Sequence, residues 1–297
     1  MQRIGIDLGG TKTEGIVMDA DGRILLRERR PTPQVDGYEA ILANIRSLVT
    51  DLERQAGERC HIGIGTPGAI STRAGYLKNS NTVCLNGKPL PADLEHLFGR
   101  EVRIANDANC FALSEAIDGA GQGQPVVFGV ILGTGVGGGI VVDGQLLAGA
   151  QHIAGEWGHN VLDAAGPPCY CGKRGCVETF LSGPGLARDH AAHGGDAALD
   201  AQAIVARAAA GDALAEAAMQ RYLERFGRAL SVVVNILDPH AIVLGGGLSN
   251  IARLYSEGRE QLARLIFNDE LRTPILPNLH GDSSGVRGAA QLWAPHE

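Results

Sequence analysis

The sequence has 297 residues, 44% of them hydrophobic, so it is long enough for one large domain or two ordinary ones with a sizeable core. Lys and Arg number 26 against 33 Asp and Glu, which gives a formal net charge of −7. This acidic balance argues against electrostatic binding to nucleic acid or to an anionic membrane. The 42 glycines cluster in loops without a triplet period, which excludes collagen and indicates turns and ligand loops.

No signal peptide is recognisable, because Arg3 leads at once into a strand-like run. Residues 124–142 are uncharged and long enough to suggest a membrane helix. They carry six glycines and a proline, however, and each interior glycine costs a helix about 0.8–1 kcal/mol. The segment is therefore predicted to form two strands around a glycine turn, and the protein is expected to be soluble and cytoplasmic.

Two segments of the chain, residues 4–25 and residues 128–147, resemble each other. At an offset of 124 residues, which aligns Leu8 with Leu132, leucine, glycine, isoleucine, valine and aspartate positions coincide. Each copy reads as a β-rich run, a glycine turn, a second β-rich run and a D-G turn. Either two hairpins simply look alike, or an α/β unit is duplicated and its two lobes face each other across a cleft.

The other predicted elements alternate between strand and helix. In chain order they are a helix at Tyr38–Ala56, strands at Cys60–Gly65 and Glu101–Ala105, a helix at Ala108–Ile117, a helix over 198–210, a long helix ending at Leu237, a strand at Ala241–Leu244 and a last helix at Gly285–Trp293. This alternation predicts an α/β fold with mixed sheets. The expected division is a smaller lobe over 1–118 and a larger one over 119–284, with the segment at about 285–297 packing on either lobe.

Three glycine loops are candidates for holding phosphates, because missing Cβ atoms let backbone N–H groups approach oxygen atoms closely. Their residues are Gly9, Gly10, Thr11 and Lys12, then Gly133, Thr134, Gly135, Gly137 and Gly138, then Gly245, Gly246 and Gly247. The third loop is expected to precede a helix, whose N-terminus would favour an anion. The first loop is neither a Walker A loop nor a dinucleotide fingerprint. Tight hairpin turns remain the alternative for each loop.

Asp7 lies beside the first glycine loop and has no acidic counterpart in the second copy. A carboxylate next to a phosphate loop suits Mg²⁺, usually through water. The alternative is a surface carboxylate at a strand end.

His159, Cys169, Cys171 and Cys176 have the composition of a tetrahedral zinc shell. Four protein ligands leave no open position, so such a zinc would be structural and would not activate water or polarise a substrate. Three unconnected thiols are the alternative. Glu156 and Glu178 flank the motif, and a loop held by metal would fix these carboxylates against sugar hydroxyls.

Asp107 lies where a short strand runs into a helix. It is either the N-cap of that helix or a general base at the carboxyl end of a strand, where α/β sheets place ligands. Phosphoryl transfer to an alcohol needs a carboxylate within hydrogen-bond reach of the hydroxyl group. Its neighbour Asn106 offers both a donor and an acceptor to a sugar hydroxyl.

Together these motifs resemble the ROK family of repressors, open reading frames and sugar kinases. The resemblance covers nearly the whole chain, and its motifs are DLGGTKTE at 7–14, GIGTPGAIS at 63–71, ANDANC at 105–110, GTGVGGG at 133–139, GEWGH at 155–159, CYCGKRGCVE at 169–178 and LGGGLSN at 244–250. Within the family the chain looks most like bacterial fructokinases of the manno(fructo)kinase type, notably at 77–90 and 280–290. N-acetylglucosamine kinases and glucokinases of the family are the rivals.

The resemblance implies a two-lobed, actin-like and ribonuclease-H-like fold that closes around a sugar and ATP with Mg²⁺. It implies Asp107 as catalytic base, and it places five residues near the sugar: Asn81, Asn106, Glu156, His159 and Glu178. His159 would serve zinc and sugar with one ring nitrogen each. The ATP phosphates would meet residues 9–12 and 134–138, and the adenosine would lie near Gly245 to Leu248. A homodimer is expected, and an N-terminal helix-turn-helix like that of the family's repressors is not expected, because the sequence starts directly with the phosphate strand.

The leading hypothesis is therefore an ATP-dependent kinase that converts fructose to fructose 6-phosphate, with mannose or glucose as further substrates. A sugar-sensing protein without catalysis is the second hypothesis, against which the presence of Asp107 speaks. A nucleotide-driven actin-like or chaperone-like ATPase is the third, although that class does not require a zinc motif.

Overall fold

The computed structural model describes residues 1–295 of the chain. Its strands are β1 (Arg3–Leu8), β2 (Lys12–Met18), β3 (Ile24–Pro31), β4 (His61–Thr66), β5 (Ala69–Ile70), β6 (Leu77–Lys78), β7 (Val102–Asn106), β8 (Val126–Leu132), β9 (Val136–Val142), β10 (Gln145–Leu146), β11 (Ala241–Gly245) and β12 (Ile275–Pro277). Its α-helices are α1 (Tyr38–Ala56), α2 (Leu90–Phe98), α3 (Asp107–Ile117), α4 (Glu178–Leu181), α5 (Gly183–Ala192), α6 (Ala201–Ala209), α7 (Ala213–Leu237), α8 (Glu257–Ala263) and α9 (Ser284–Ala290).

Two five-stranded sheets have the same strand order. The first runs β3-β2-β1-β4-β7 and the second β10-β9-β8-β11-β12. In both sheets the first three strands form an antiparallel meander and the last two add in parallel. β1 and β8 end at Leu8 and Leu132, which are 124 residues apart as the sequence repeat predicts. The predicted α/β fold with mixed sheets is confirmed; the wider likeness to actin and ribonuclease H stays a prediction.

Most predicted elements lie where the hydrophobic spacing indicates. α1 has the predicted bounds, because its apolar face repeats at helical intervals and Gly57 takes the left-handed conformation that ends it, with φ 75°. α6 begins only at Ala201, since Asp200 is its N-cap and accepts a hydrogen bond from the Ala203 N–H at 2.8 Å.

Two expectations about helices need correction. The third glycine loop leads into a short 3₁₀ turn, Gly247–Asn250, and not into an α-helix. A single turn of that kind lacks the N-terminal charge of a full helix. The last helix ends at Ala290 instead of Trp293. Residues 296 and 297 of the segment expected there lie outside the described residues.

α3 and α9 pack against each other. α9 covers the first sheet at two glycines: a Cβ added to Gly5 would lie 2.1 Å from the Val286 carbonyl oxygen, and one at Gly63 would lie 1.8 Å from that of Ala289. α3 packs instead on β8 and β9 of the second sheet. α3 precedes residue 118 in the chain, but it packs on the sheet formed after that residue. The division of the chain into two lobes at residue 118 therefore stays a prediction.

Each sheet has its own hydrophobic core. α1 buries Ile41, Ile45 and Leu48 beside the first sheet, and α7 buries Tyr222 and Phe226 beside the second. Over residues 1–295, every helix is too short or too polar to span a bilayer.

Candidate active site

A cleft of about 410 Å³ opens between the two sheets. The part of the chain that forms the first sheet contributes residues 67–69, 79, 81 and 106–108. The part that forms the second sheet contributes the turn at 133–137 and residues of the loop at 169–176, which carries three cysteines and is called the cysteine loop below. All six residues predicted to bind sugar or act as base line this cleft: Asn81, Asn106, Asp107, Glu156, His159 and Glu178. The structure therefore brings these residues together, although they are scattered over almost a hundred positions of the sequence.

Asp107 and Asn106 share the start of α3, and their positions separate the two roles considered for Asp107. The N-cap is Asn106, whose side-chain oxygen accepts from the Ala108 N–H at 2.9 Å. Its amide nitrogen donates to the Gly68 carbonyl oxygen at 3.0 Å. Asp107 is the first residue of the helix itself, and its Oδ1 also lies 2.9 Å from the Ala108 nitrogen. With the helix capped by its neighbour, the Asp107 carboxyl group is left facing the cleft.

The electrostatics of Asp107 suit a group that exchanges a proton near neutral pH. Desolvation raises its pKa to about 6, the nearby Glu156 adds to the rise, and the hydrogen bond from Ala108 opposes it. Burial also raises the pKa of Glu156, helped by Glu178 and opposed by His159. Perturbed carboxyl groups that share one cleft are typical of catalytic sites.

Asp7 lies at the end of β1, opposite Glu14 of β2 and Gly65 of β4. Burial raises its pKa to about 7, and repulsion from Asp107 and Glu14 adds to this. A divalent cation that prefers oxygen ligands would relieve the repulsion between Asp7 and Asp107. The residues present therefore fit the predicted Mg²⁺, whose binding stays a prediction.

The first two glycine loops are equivalent hairpin turns, between β1 and β2 and between β8 and β9. Each is closed by one backbone hydrogen bond of 3.0 Å, from Gly9 to Lys12 and from Gly133 to Gly135. Within the described part of the chain the second turn lines the cleft and the first does not. Gly138 lies inside β9, where an added Cβ would be 2.7 Å from Trp157 Cδ1, so packing accounts for this glycine.

The third loop lies beside the second. Gly246 has φ 81°, and an added Cβ there would lie 2.4 Å from the Leu132 carbonyl oxygen at the end of β8. Leu248 is only 5% exposed, so its side chain belongs to the core. The predicted contacts of residues 245–248 with adenosine, and of the turns with phosphates, stay predictions.

The cysteine loop brings four potential metal ligands together. Their ligand atoms all lie within 4.8 Å of one another. Cys169 Sγ is 3.6 Å from His159 Nδ1, and Cys171 Sγ is 3.6 Å from Cys176 Sγ. Sulfur atoms bound tetrahedrally at about 2.3 Å from one zinc would lie about 3.8 Å apart, so the set fits a closed, structural zinc site. Zinc binding itself stays a prediction.

The same loop positions the two glutamates of the cleft. Glu178 begins α4 two residues after Cys176, and its Oε2 accepts from the Val136 N–H at 3.0 Å. Trp157, which follows Glu156, is buried and donates from Nε1 to the Gly137 carbonyl oxygen at 2.9 Å. Through Glu178 and Trp157, the segments next to the predicted metal ligands are thus hydrogen-bonded to β9, immediately after the second glycine turn.

Several cleft residues were not singled out from the sequence, among them Asn79, Ile153, Tyr170 and Lys173. Tyr170 carried an available signal, because it stands between two predicted ligands in Cys-x-Cys. Its hydroxyl lies 3.0 Å from His159 Nε2, the ring nitrogen that does not contact Cys169. Asn79 has φ 59°, which its residue type tolerates better than most and which sequence spacing does not reveal.

Comparison with known proteins gives a consistent family. The model of the ROK family matches residues 3–296. An N-acetyl-D-glucosamine kinase of Yersinia pseudotuberculosis is 41% identical over 302 residues, which cover 97% of either chain. The ROK hexokinase of Thermus thermophilus superposes with a TM-score of 0.87 at 34% identity and covers 98% of this chain and 97% of its own. A ROK family glucokinase of Streptomyces griseus, solved with glucose and AMPPNP, gives 0.79 at 30% identity, with 98% and 99% covered.

Replacement of one cysteine tests the metal site. We expect the purified protein to contain about one zinc per chain, and Cys171→Ser to lose most of it, because three ligands bind structural zinc far less tightly than four. Zinc is measured by elemental analysis after dialysis. Cys84→Ser, outside the cluster, is the matched control and keeps its zinc. A full zinc content in Cys171→Ser would remove this residue from the ligand set.

The raised pKa of Asp7 has a consequence for stability. The folded state binds this proton more tightly than the unfolded state, whose pKa is near 3.8, so stability falls as the pH rises towards about 7. Asp7→Asn keeps the group neutral, and without added Mg²⁺ it should raise the melting temperature at pH 8 by roughly 2–4 °C or more.

At pH 5 that difference should shrink to less than half, because the stability is lost progressively between the unfolded pKa near 3.8 and the folded pKa of about 7. The control is Asp269→Asn, which replaces an exposed carboxyl group. Its effect on the melting temperature should be the same at the two pH values. An Asp7→Asn effect of equal size at pH 5 and pH 8 would refute the electrostatic explanation.

Proposed function

This chain belongs to the ROK family, and from that premise we propose that it is an ATP-dependent sugar kinase that phosphorylates the 6-hydroxyl group of a hexose. The main observation that supports the proposal is the position of Asp107. Its carboxyl group has a pKa of about 6 and faces a cleft that is also lined by Glu156 and Glu178. N-acetyl-D-glucosamine is the first candidate substrate, because curated relatives that are 39–41% identical over 97% of the chain are kinases of this sugar.

The chemistry follows from the positions of the groups. Asp107 accepts the proton of the sugar hydroxyl as that oxygen attacks the γ-phosphorus atom of ATP. The bond from the γ-phosphorus to the β,γ-bridging oxygen breaks, and ADP leaves with that electron pair. Asp7 is the residue that would hold Mg²⁺, which when bound neutralises phosphate charge.

The sugar is held by groups that the cysteine loop fixes in place. Glu156 and Glu178 accept hydrogen bonds from sugar hydroxyls, and Asn81, exposed on the opposite wall, can both donate and accept. The four predicted zinc ligands leave no site for substrate on the metal, so zinc supports the loop and takes no part in the transfer.

Fructose is the second candidate substrate. It is favoured by the fructokinase-like sequence at 77–90, whose residues Asn79 and Asn81 line the cleft. The relatives described above support the N-acetylglucosamine alternative better than the fructokinase reading. The homodimer expected from the family resemblance belongs to the same proposal and is measured by size-exclusion chromatography with light scattering.

A substrate panel tests the function. ADP release is followed with N-acetylglucosamine, fructose, glucose and mannose, and we expect the highest kcat/KM with N-acetylglucosamine. A clear preference for fructose would select the second candidate. Sugar binding without ADP release would favour a sugar sensor, and ATP hydrolysis that ignores sugar would favour an actin-like ATPase. No turnover with any hexose would overturn the kinase proposal.

Loss of the base tests the mechanism. Asp107→Asn should keep sugar affinity and lower kcat by roughly 10²–10⁴, the usual effect of removing a general base. Asp196→Asn is the matched control, since Asp196 is exposed and its Oδ1 likewise accepts a backbone N–H, from Ala198 at 2.9 Å. Near-normal turnover in Asp107→Asn would show that this residue only supports the helix start.

A further inference from the structure

The second glycine turn is fastened at both ends to one short segment of the chain. The Gly133 carbonyl oxygen, at the start of the turn, accepts from the Gly183 N–H at 2.8 Å. The Val136 N–H, directly after the turn, donates to Glu178 Oε2 at 3.0 Å. Glu178 and Gly183 are the first residues of α4 and α5, which follow the cysteine loop. The position of the turn therefore depends on the segment at 178–183.

Glu178 has a fixed backbone and a side chain that reaches the cleft. Its neighbours Val177 and Thr179 are buried, and the Val177 N–H donates to the Asn160 carbonyl oxygen at 2.9 Å. The Glu178 side chain itself is only partly buried and lines the cleft. Its carboxylate is thus presented to the cleft from a backbone that has little freedom to move.

The two carboxylate oxygens of Glu178 have different surroundings. Oε2 accepts from the Val136 N–H. Oε1 has no hydrogen-bond partner within residues 1–295, and the protein does not enclose it. Because Glu178 lines the cleft, Oε1 is open to a ligand that donates a hydrogen bond, and a sugar hydroxyl group is such a donor. One carboxylate can therefore hold the turn and the sugar at the same time.

The turn itself offers two backbone donors to a ligand. In the described part of the chain, the N–H groups of Thr134 and Gly135 have no partner in the protein, and both residues line the cleft. Successive backbone N–H groups in a turn can bind phosphate oxygens when they point to one place. Their direction depends on how the turn is held, and Glu178 holds one end of it.

The space at Gly135 shows how closely the carboxylate packs on the turn. An added Cβ at Gly135 would lie 2.7 Å from Glu178 Oε2, and beyond its chain neighbours the Glu178 carboxyl group is all that it would meet within 4 Å. The backbone of Gly135 is not in the left-handed region, so its conformation does not require glycine. Room for the Glu178 carboxylate therefore accounts for a glycine at this position.

We propose that Glu178 is a positioning residue that couples the two substrates: Oε1 accepts from a hydroxyl group of the bound sugar while Oε2 holds the Val136 N–H, so the sugar fixes the turn that binds the phosphates. The inference rests on the proposed sugar-kinase function and refines it. A partly exposed glutamate loses side-chain freedom when it is fixed. The first substrate to bind bears this cost and the second does not, so each substrate tightens the binding of the other.

The experiment measures how much the sugar tightens nucleotide binding. AMPPNP with Mg²⁺ is titrated calorimetrically into the purified protein, with and without saturating N-acetylglucosamine. The ratio of the two Kd values is the coupling factor, which we expect to be about 5 or more in the unsubstituted protein. Glu178→Gln should lower this factor by about 3-fold or more, because the amide puts a donor in place of one of the two acceptor oxygens.

Glu156→Gln is the matched control. Glu156 also lines the cleft and is predicted to contact the sugar, but among the described residues its carboxylate makes no hydrogen bond to the turn. Its replacement should raise the Kd for sugar, yet at saturating sugar it should leave the coupling factor within about twofold of the unsubstituted value. An equal loss of coupling in both variants would assign the coupling to sugar binding in general and overturn the inference.

Gly135→Ala tests the same contact from the side of the turn and leaves α4 unchanged. The new methyl group meets only the end of a flexible side chain, so the protein should fold while the Glu178 carboxylate gives way. Without nucleotide, the Kd for sugar should rise about 3- to 10-fold. In Gly133→Ala the added Cβ lies in open space, so this nucleotide-free Kd should not change. The pair decides the matter if Glu178→Gln does not fold.

The outcomes separate this inference from the proposed function. Three results would overturn the inference while hexose-dependent ADP release still supports a kinase: a coupling factor near 1 in the unsubstituted protein, an undiminished factor in Glu178→Gln, or an unchanged sugar Kd in Gly135→Ala. If the unsubstituted protein binds no hexose and releases no ADP, the proposed function falls and the inference falls with it.

Discussion

The close contact of α3 with α9 is the constraint on which the site depends. An added Cβ at Gly288 would lie 1.7 Å from the Cys110 carbonyl oxygen, so the helices touch through their backbones. Glu115, fully buried on α3, reinforces the contact by accepting from the Ser284 hydroxyl at 2.7 Å and the Leu279 N–H at 3.0 Å. Because α3 packs on the second sheet and α9 on the first, Asp107 at the start of α3 is positioned by both halves.

This arrangement places carboxyl groups where their charge is costly. Asp7 reaches this region from β1 and Asp107 from the start of α3, and burial with mutual repulsion raises the pKa of Asp7 to about 7. A fold selected for stability alone would have no reason to keep two such groups together. Both carboxyl groups have a use if the site contains a proton acceptor and a bound cation. Each of these uses needs a carboxylate whose charge the protein does not already neutralise.

Much of this architecture could be predicted from the sequence, for physical reasons. The bounds of α1 follow from its apolar spacing, and the offset between Leu8 and Leu132 follows from a repeated hairpin. The clustering of Asp107 with Glu156 and Glu178 followed from the family resemblance and not from spacing. Local patterns did not reveal that Asn106 caps α3, or that residues 247–250 form a 3₁₀ turn. Those outcomes depend on which backbone groups tertiary packing leaves unpaired.

The cysteine loop connects the predicted sugar pocket with the predicted phosphate turn. Through Cys176 it fixes Glu178, and through Glu178 it contacts the Val136 N–H, one residue beyond the glycine turn at 133–135. Through His159 it contacts Tyr170, which lines the same cleft. A group bound only by loop residues can thus influence the sugar pocket and the predicted phosphate turn together. A structural metal would therefore affect activity here without contacting either substrate, because it fixes the donors and acceptors that do.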